Sequence, residues 1–87
     1  MSDYRILPAG DTAVVVEFGD QIDRQVSVAV LTLARRLADA HLEGIVELVP
    51  TFRSLMIHYD PLVLPTGLLT DHIAELVQGL QTAAMRL

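Results

Sequence analysis

The side chains best equipped for chemistry lie closest together in "PTFRSLMIHYDPL", Pro50–Leu62, which holds Arg53, Ser54, His58 and Asp60. A serine–histidine–acid triad can be written from Ser54, His58 and Asp60. Spacing decides against it. The stretch reads as a strand, in which Ser54 and His58 share a face but stand about 13 Å apart at roughly 3.3 Å per residue. Their side chains cannot meet, so no activated serine results.

Other combinations fare no better. His41, His58 and His72 fall on different elements, and none has a second ligand two or four positions away, so a metal site lacks support. "PAGDTA" contains one glycine and reads as a hairpin turn, not a phosphate loop. The acid pairs Asp20/Asp23 and Glu43/Glu47 read as helix-end charge and exposed strand positions. No catalytic residue and no metal ligand is assigned.

Arg53, Ser54 and His58 are kept as binding or interface candidates from this group. His58 is expected on an open strand face near Glu17 or Glu47, where a hydrogen bond to a carboxylate is the ordinary role. Arg53, beside Ser54 at the mouth of a hairpin, carries a rigid fork suited to carboxylates or carbonyl groups. Its local alternative is a salt bridge to Asp60 or Glu47 across the hairpin, worth at most about 1 kcal/mol at the surface.

The elements that must position these residues follow from periodicity. Tyr4–Leu7 and Ala13–Phe18 read as strands joined by "PAGD". A helix from Asp23, its expected N-cap, to about His41 carries the stripe Ile22, Val26, Val30, Leu33, Leu37 and Ala40, with Gly44 as its stop. Ile45–Val49 and Ser54–Tyr59 form a second strand pair. Thr66 is the expected N-cap of a second helix with Leu69, Ile73, Leu76, Leu80 and Ala84 inward. Gly79 inside that helix should cost about 1 kcal/mol relative to alanine. The order ββαββα predicts an α+β two-layer sandwich: a four-stranded antiparallel sheet with both helices on one face.

Composition narrows the function classes. The chain has 87 residues, no cysteine and six basic residues, all arginine, which excludes disulfides, thiolate catalysis and lysine Schiff bases. A net charge of −5 and a pI near 4.8 argue against nucleic acid. Apolar residues make up 52%, with a mean hydropathy of +0.44, yet no run approaches the ~20 residues of a membrane span. The start "MSDYRI" lacks the charge and apolar stretch of a secretory signal, so the cytoplasm is the expected location.

Strict alternation then assigns the sheet faces. Val14, Val16, Phe18, Val46, Leu48, Leu55, Ile57 and Tyr59 would face the helices. Ala13, Val15, Glu17, Ile45, Glu47, Val49, Met56 and His58 would form the open face, which is over half apolar. A solvated sheet face should be polar, so Val15, Glu17, Met56 and His58 are read as part of a partner surface. The alternative is β-branched residues serving strand propensity alone.

"LPAGDTAVVVEFGDQID" (Leu7–Asp23) resembles the opening of subunit 1 of allophanate hydrolase, a family that includes one of the subunits of bacterial 5-oxoprolinase, and in which a Gly-Asp-Ser/Thr-Ala turn leads into a strand ending Glu-Phe-Gly. "GIVELVPTFRSLMIHYDPL" (Gly44–Leu62) resembles its second signature, with an aromatic before Arg-Ser and a strand ending Tyr-Asp-Pro. The resemblance implies that residues 1–87 correspond to the family's N-terminal domain, without the cyclophilin-like barrel domain that follows it. It implies a non-catalytic role within an ATP-dependent complex opening 5-oxoproline to glutamate, or acting on allophanate. ATP belongs to the full complex, and no cofactor to this domain. The implied partners are a homologous second subunit and the ATP-using subunit, with homodimerisation through the open face. The Kip-type branch implies an alternative, a stand-alone module inhibiting a sensor histidine kinase. No membrane partner is implied.

Overall fold

The structure, a computed structural model, describes residues 4–19 and 24–85. It contains strands β1 (Arg5–Pro8) and β2 (Ala13–Glu17), helix α1 (Arg24–Ala40), strands β3 (Ile45–Pro50) and β4 (Ser54–Tyr59), and helix α2 (Thr66–Met85). This is the expected ββαββα order, with strand boundaries within a residue or so. The expected N-cap Asp23, the stripe residue Ile22 and the acid Asp20 lie outside the described residues, as do the side chains of Leu80 and Ala84.

The two hairpins join through their inner strands, giving one antiparallel sheet in the order β1-β2-β4-β3. Val14 pairs with Ile57 and Val16 with Leu55, so one face of β2 and β4 is a block of branched apolar side chains. Helix α1 lays Val26, Val30, Leu33 and Leu37 on it, and α2 adds Leu69, Ile73 and Val77. Both helices therefore cover the same face. Leu33, Leu37, Leu55, Ile57, Leu69 and Ile73 are fully buried, each contributing about 1.5–3 kcal/mol by leaving water. Val77 and Leu64 join the core beyond the expected stripes, whereas Ala40 is exposed at the end of α1, past the buried Leu37.

Edge strand β3 departs from strict alternation. Ile45 pairs with Tyr59, but Glu47 pairs with His58, so Val46 is an extra residue with no partner of its own. The bulge reverses the parity of the strand's first residues. Ile45, expected outward, packs on the core, and Val46, expected inward, is 72% exposed. Beyond the bulge Leu48 faces the core, as expected. The bulge and Pro50 on β3, and Pro8 on β1, blunt both edges against pairing with further strands.

Two helix ends differ from expectation. His41, with φ of 51°, takes the left-handed position after α1. Gly44 instead shapes the turn into β3, and its carbonyl accepts from the Asp60 amide at 2.7 Å. At α2, the Leu69 amide donates to the Pro65 carbonyl, which makes Pro65 the capping position. The Thr66 hydroxyl is occupied elsewhere, 2.5 Å from the Tyr59 hydroxyl, tying the end of β4 to the start of α2. Among the described residues no helix is long and apolar enough to cross a membrane.

Candidate functional site

Arg53 and Ser54 form the closing half of the β3–β4 turn. The Thr51 amide donates to the Ser54 carbonyl at 2.8 Å, the two hydroxyls lie 2.7 Å apart, and the Ser54 amide donates back to Thr51 Oγ1 at 3.1 Å. A hydroxyl at each end of a four-residue turn closes it locally. Neighbouring elements then anchor the tip. Ser27 Oγ of α1 donates to the Phe52 carbonyl at 3.0 Å, and the Phe18 amide to the Arg53 carbonyl at 2.9 Å. Ser54 is thus a turn residue, and the Arg53 side chain is exposed beside it. The local salt bridge expected for Arg53 loses its geometry. Glu47 pairs with His58 and Asp60 follows Tyr59, so both carboxylates sit at the opposite end of the ladder from Arg53.

The face away from the helices is organised in rows across the strands. Leu7 pairs with Val15, Val15 with Met56, and Met56 with Val49, so one apolar row crosses all four strands. On one side lies the row Arg5–Glu17–Ser54, in which Arg5 and Glu17 form an ion pair at 2.7 Å. On the other lies Ala13–His58–Glu47. Of the residues expected on this face, Val15, Glu17, Glu47, Val49, Met56, His58 and Ala13 share it, and Ile45 does not. Ala13 is nonetheless buried. Leu7 is an addition that sequence reasoning misses. Its signal is faint, because β1 is four residues long and its alternation cannot be read without its partner.

His58 is half-buried on β4, directly across from Glu47 and two rows from Glu17, which is engaged by Arg5. Met56 stands between it and Ser54. Beside it runs a shallow groove of about 410 Å³, lined by Thr12, Val46, Glu47, His58 and Asp60 among others. Among the described residues no group of three metal-binding side chains converges. The arrangement offers a flat apolar row between two charged margins, which suits a protein surface better than a small substrate.

A four-stranded antiparallel sheet with two helices on one face and an apolar row left open on the other defines a small α+β two-layer sandwich. Residues 4–86 match the carboxyltransferase domain family, subdomain C and D, and the chain belongs to that family. It is 35% identical over 57 residues to a 5-oxoprolinase subunit of Bacillus subtilis (strain 168), a match that spans 66% of this chain and 24% of that protein. Its fold is similar to that of a conserved uncharacterised protein of Pyrococcus horikoshii, with a TM-score of 0.84 and 32% identity over 91% of this chain and 37% of the other. It is also similar to the N-terminal domain of the histidine kinase inhibitor KipI of Bacillus subtilis, with a TM-score of 0.75 and 27% identity, covering 90% of this chain and 87% of that one. The chain thus spans about a quarter to somewhat over a third of the first two relatives.

Proposed function

We propose that this chain is a non-catalytic docking domain of a subunit in a 5-oxoprolinase-type, ATP-dependent hydrolase complex. The observation that carries this reading is the uncovered row Leu7–Val15–Met56–Val49, an apolar band on a sheet face that water alone would render polar. Kinship to the 5-oxoprolinase subunit supports the kind of complex. The domain contributes contact, positioning its subunit against a homologous second subunit and an ATP-using one. ATP is bound by the complex, not by this domain, and the assembly works in the cytoplasm. Where no companion is present the same row joins two copies of the chain.

Titration calorimetry of this chain against each companion subunit tests the reading, with 5-oxoproline turnover assayed in parallel. Binding without turnover by the isolated chain is the expected result. Turnover of 5-oxoproline by these 87 residues alone overturns it.

A second reading is supported by similarity to the KipI N-terminal domain, which extends over 90% of this chain. Here the open face engages a sensor histidine kinase and suppresses autophosphorylation. A phosphorylation assay with a kinase from the same cell separates the two: suppression by this chain alone favours the regulatory role.

A further inference from the structure

The bulge on β3 and the turn after β4 create a second surface, at the end of the domain where α1 finishes and α2 begins. Val46 is turned outward by the bulge. Leu62, in the turn between β4 and α2, is 93% exposed, and Val63 and Leu68 beside it are more than half exposed. A leucine held this far into water keeps apolar surface available for burial against a partner, and a bulge that turns a valine outward re-aims a second apolar side chain in the same way.

These side chains are not on a loose loop. Asp60 Oδ1 accepts from the Leu62 amide at 2.9 Å, and the Asp60 carbonyl accepts from the amides of Val63 and Leu64. Leu64 is buried against Gly44, and the Asp60 amide donates to the Gly44 carbonyl. The turn and the bulge are thereby locked to each other, and little conformational freedom is lost when a partner arrives.

The charge around this surface has one sign. Glu43, Glu47 and Asp60 surround it, and Asp11 and Asp39 lie at the same end of the fold. Three arginines are placed away from it. Arg5 and Arg53 mark the opposite end of the sheet, and Arg36 reaches from α1 to Gly79 of α2. A second copy of the chain would bring acid against acid, which costs energy and rejects the contact.

We infer that this end of the domain docks a basic, apolar-faced segment of a partner protein. The segment's apolar side chains cover Leu62, Val63 and Val46, and its arginines or lysines meet Glu43, Glu47 and Asp60. The surface shares no residue with the apolar row, so it stands or falls separately from the function proposed above.

The test uses the isotope-labelled chain and two synthetic amphipathic helical peptides. One has a leucine face flanked by arginines; the other has glutamates in place of the arginines. The arginine peptide should shift amide resonances of residues 43–47 and 60–68, and the glutamate peptide should not. Leu62→Ser should weaken binding by roughly fivefold to tenfold, the loss of one well-seated anchor, while the melting temperature stays put. Glu43→Arg together with Glu47→Arg should transfer preference to the glutamate peptide. Shifts centred on Val15 and Met56, equal binding of both peptides, or shifts that follow protein concentration alone would each overturn the inference.

Discussion

A side chain at Gly44 would place its Cβ 2.6 Å from the Cβ of Leu64. No pair of non-bonded carbon atoms tolerates that approach, and the φ of Gly44, +101°, is one that other residues rarely adopt. The turn into β3 and the turn into α2 are thus packed through a missing methyl group.

Gly44→Ala should therefore destabilise the fold by about 2–5 kcal/mol, combining backbone strain with overpacking. A thermal melt followed by circular dichroism should show a fall of at least about 10 °C for a domain of this size. A variant melting with the wild type would mean the two turns move apart freely.

Gly79 makes the opposite case. A Cβ there would lie 3.5 Å from Arg36 Nη1, an ordinary contact with the end of a flexible side chain. Gly79→Ala should stabilise α2 and the domain by about 0.5–1 kcal/mol, the helix propensity recovered. Urea unfolding should give a higher midpoint with an unchanged slope. A lower midpoint would show that α1 and α2 pack more tightly here than the geometry states.

His41 holds a left-handed conformation at an exposed helix end. His41→Gly should remove that strain and stabilise by roughly 0.5–1 kcal/mol, since glycine is the favoured residue at this position. The same urea titration checks it, and a loss of stability would indicate that the imidazole makes a contact that matters.

Val15 sits at the centre of the apolar row, between Leu7 and Met56. Val15→Glu should leave the fold intact, because the side chain points away from the helices. It should weaken association with a companion subunit, or self-association, by more than about tenfold. Light scattering and calorimetry, beside an unchanged circular dichroism spectrum, check both halves. Undiminished association would remove the row from the docking surface.

What is legible in the sequence depends on contrast between neighbouring positions. In β4, "SLMIHY" alternates between Leu55, Ile57 and Tyr59 on one side and Met56 and His58 on the other, and both faces of the strand follow that alternation. In α1 the spacing of Val26, Val30, Leu33 and Leu37 is sufficient, because it repeats at the helical period on one side only. In β3 the neighbours Ile45 and Val46 are both β-branched and apolar, so either could face the core. The bulge that settles the matter is a property of pairing with Tyr59 and His58.

Local periodicity is enough to specify the elements, the helix-facing halves of β2 and β4, and the largely apolar character of the open face. That β2 lies beside β4 emerges only when the two hairpins assemble into one sheet. That adjacency aligns Leu7, Val15, Met56 and Val49 into one row, while the bulged pairing of β3 carries Glu47 to His58 and away from Arg53. Pairing between distant strands is chosen by how the buried faces fit beneath the two helices, and no short stretch of the chain contains that information.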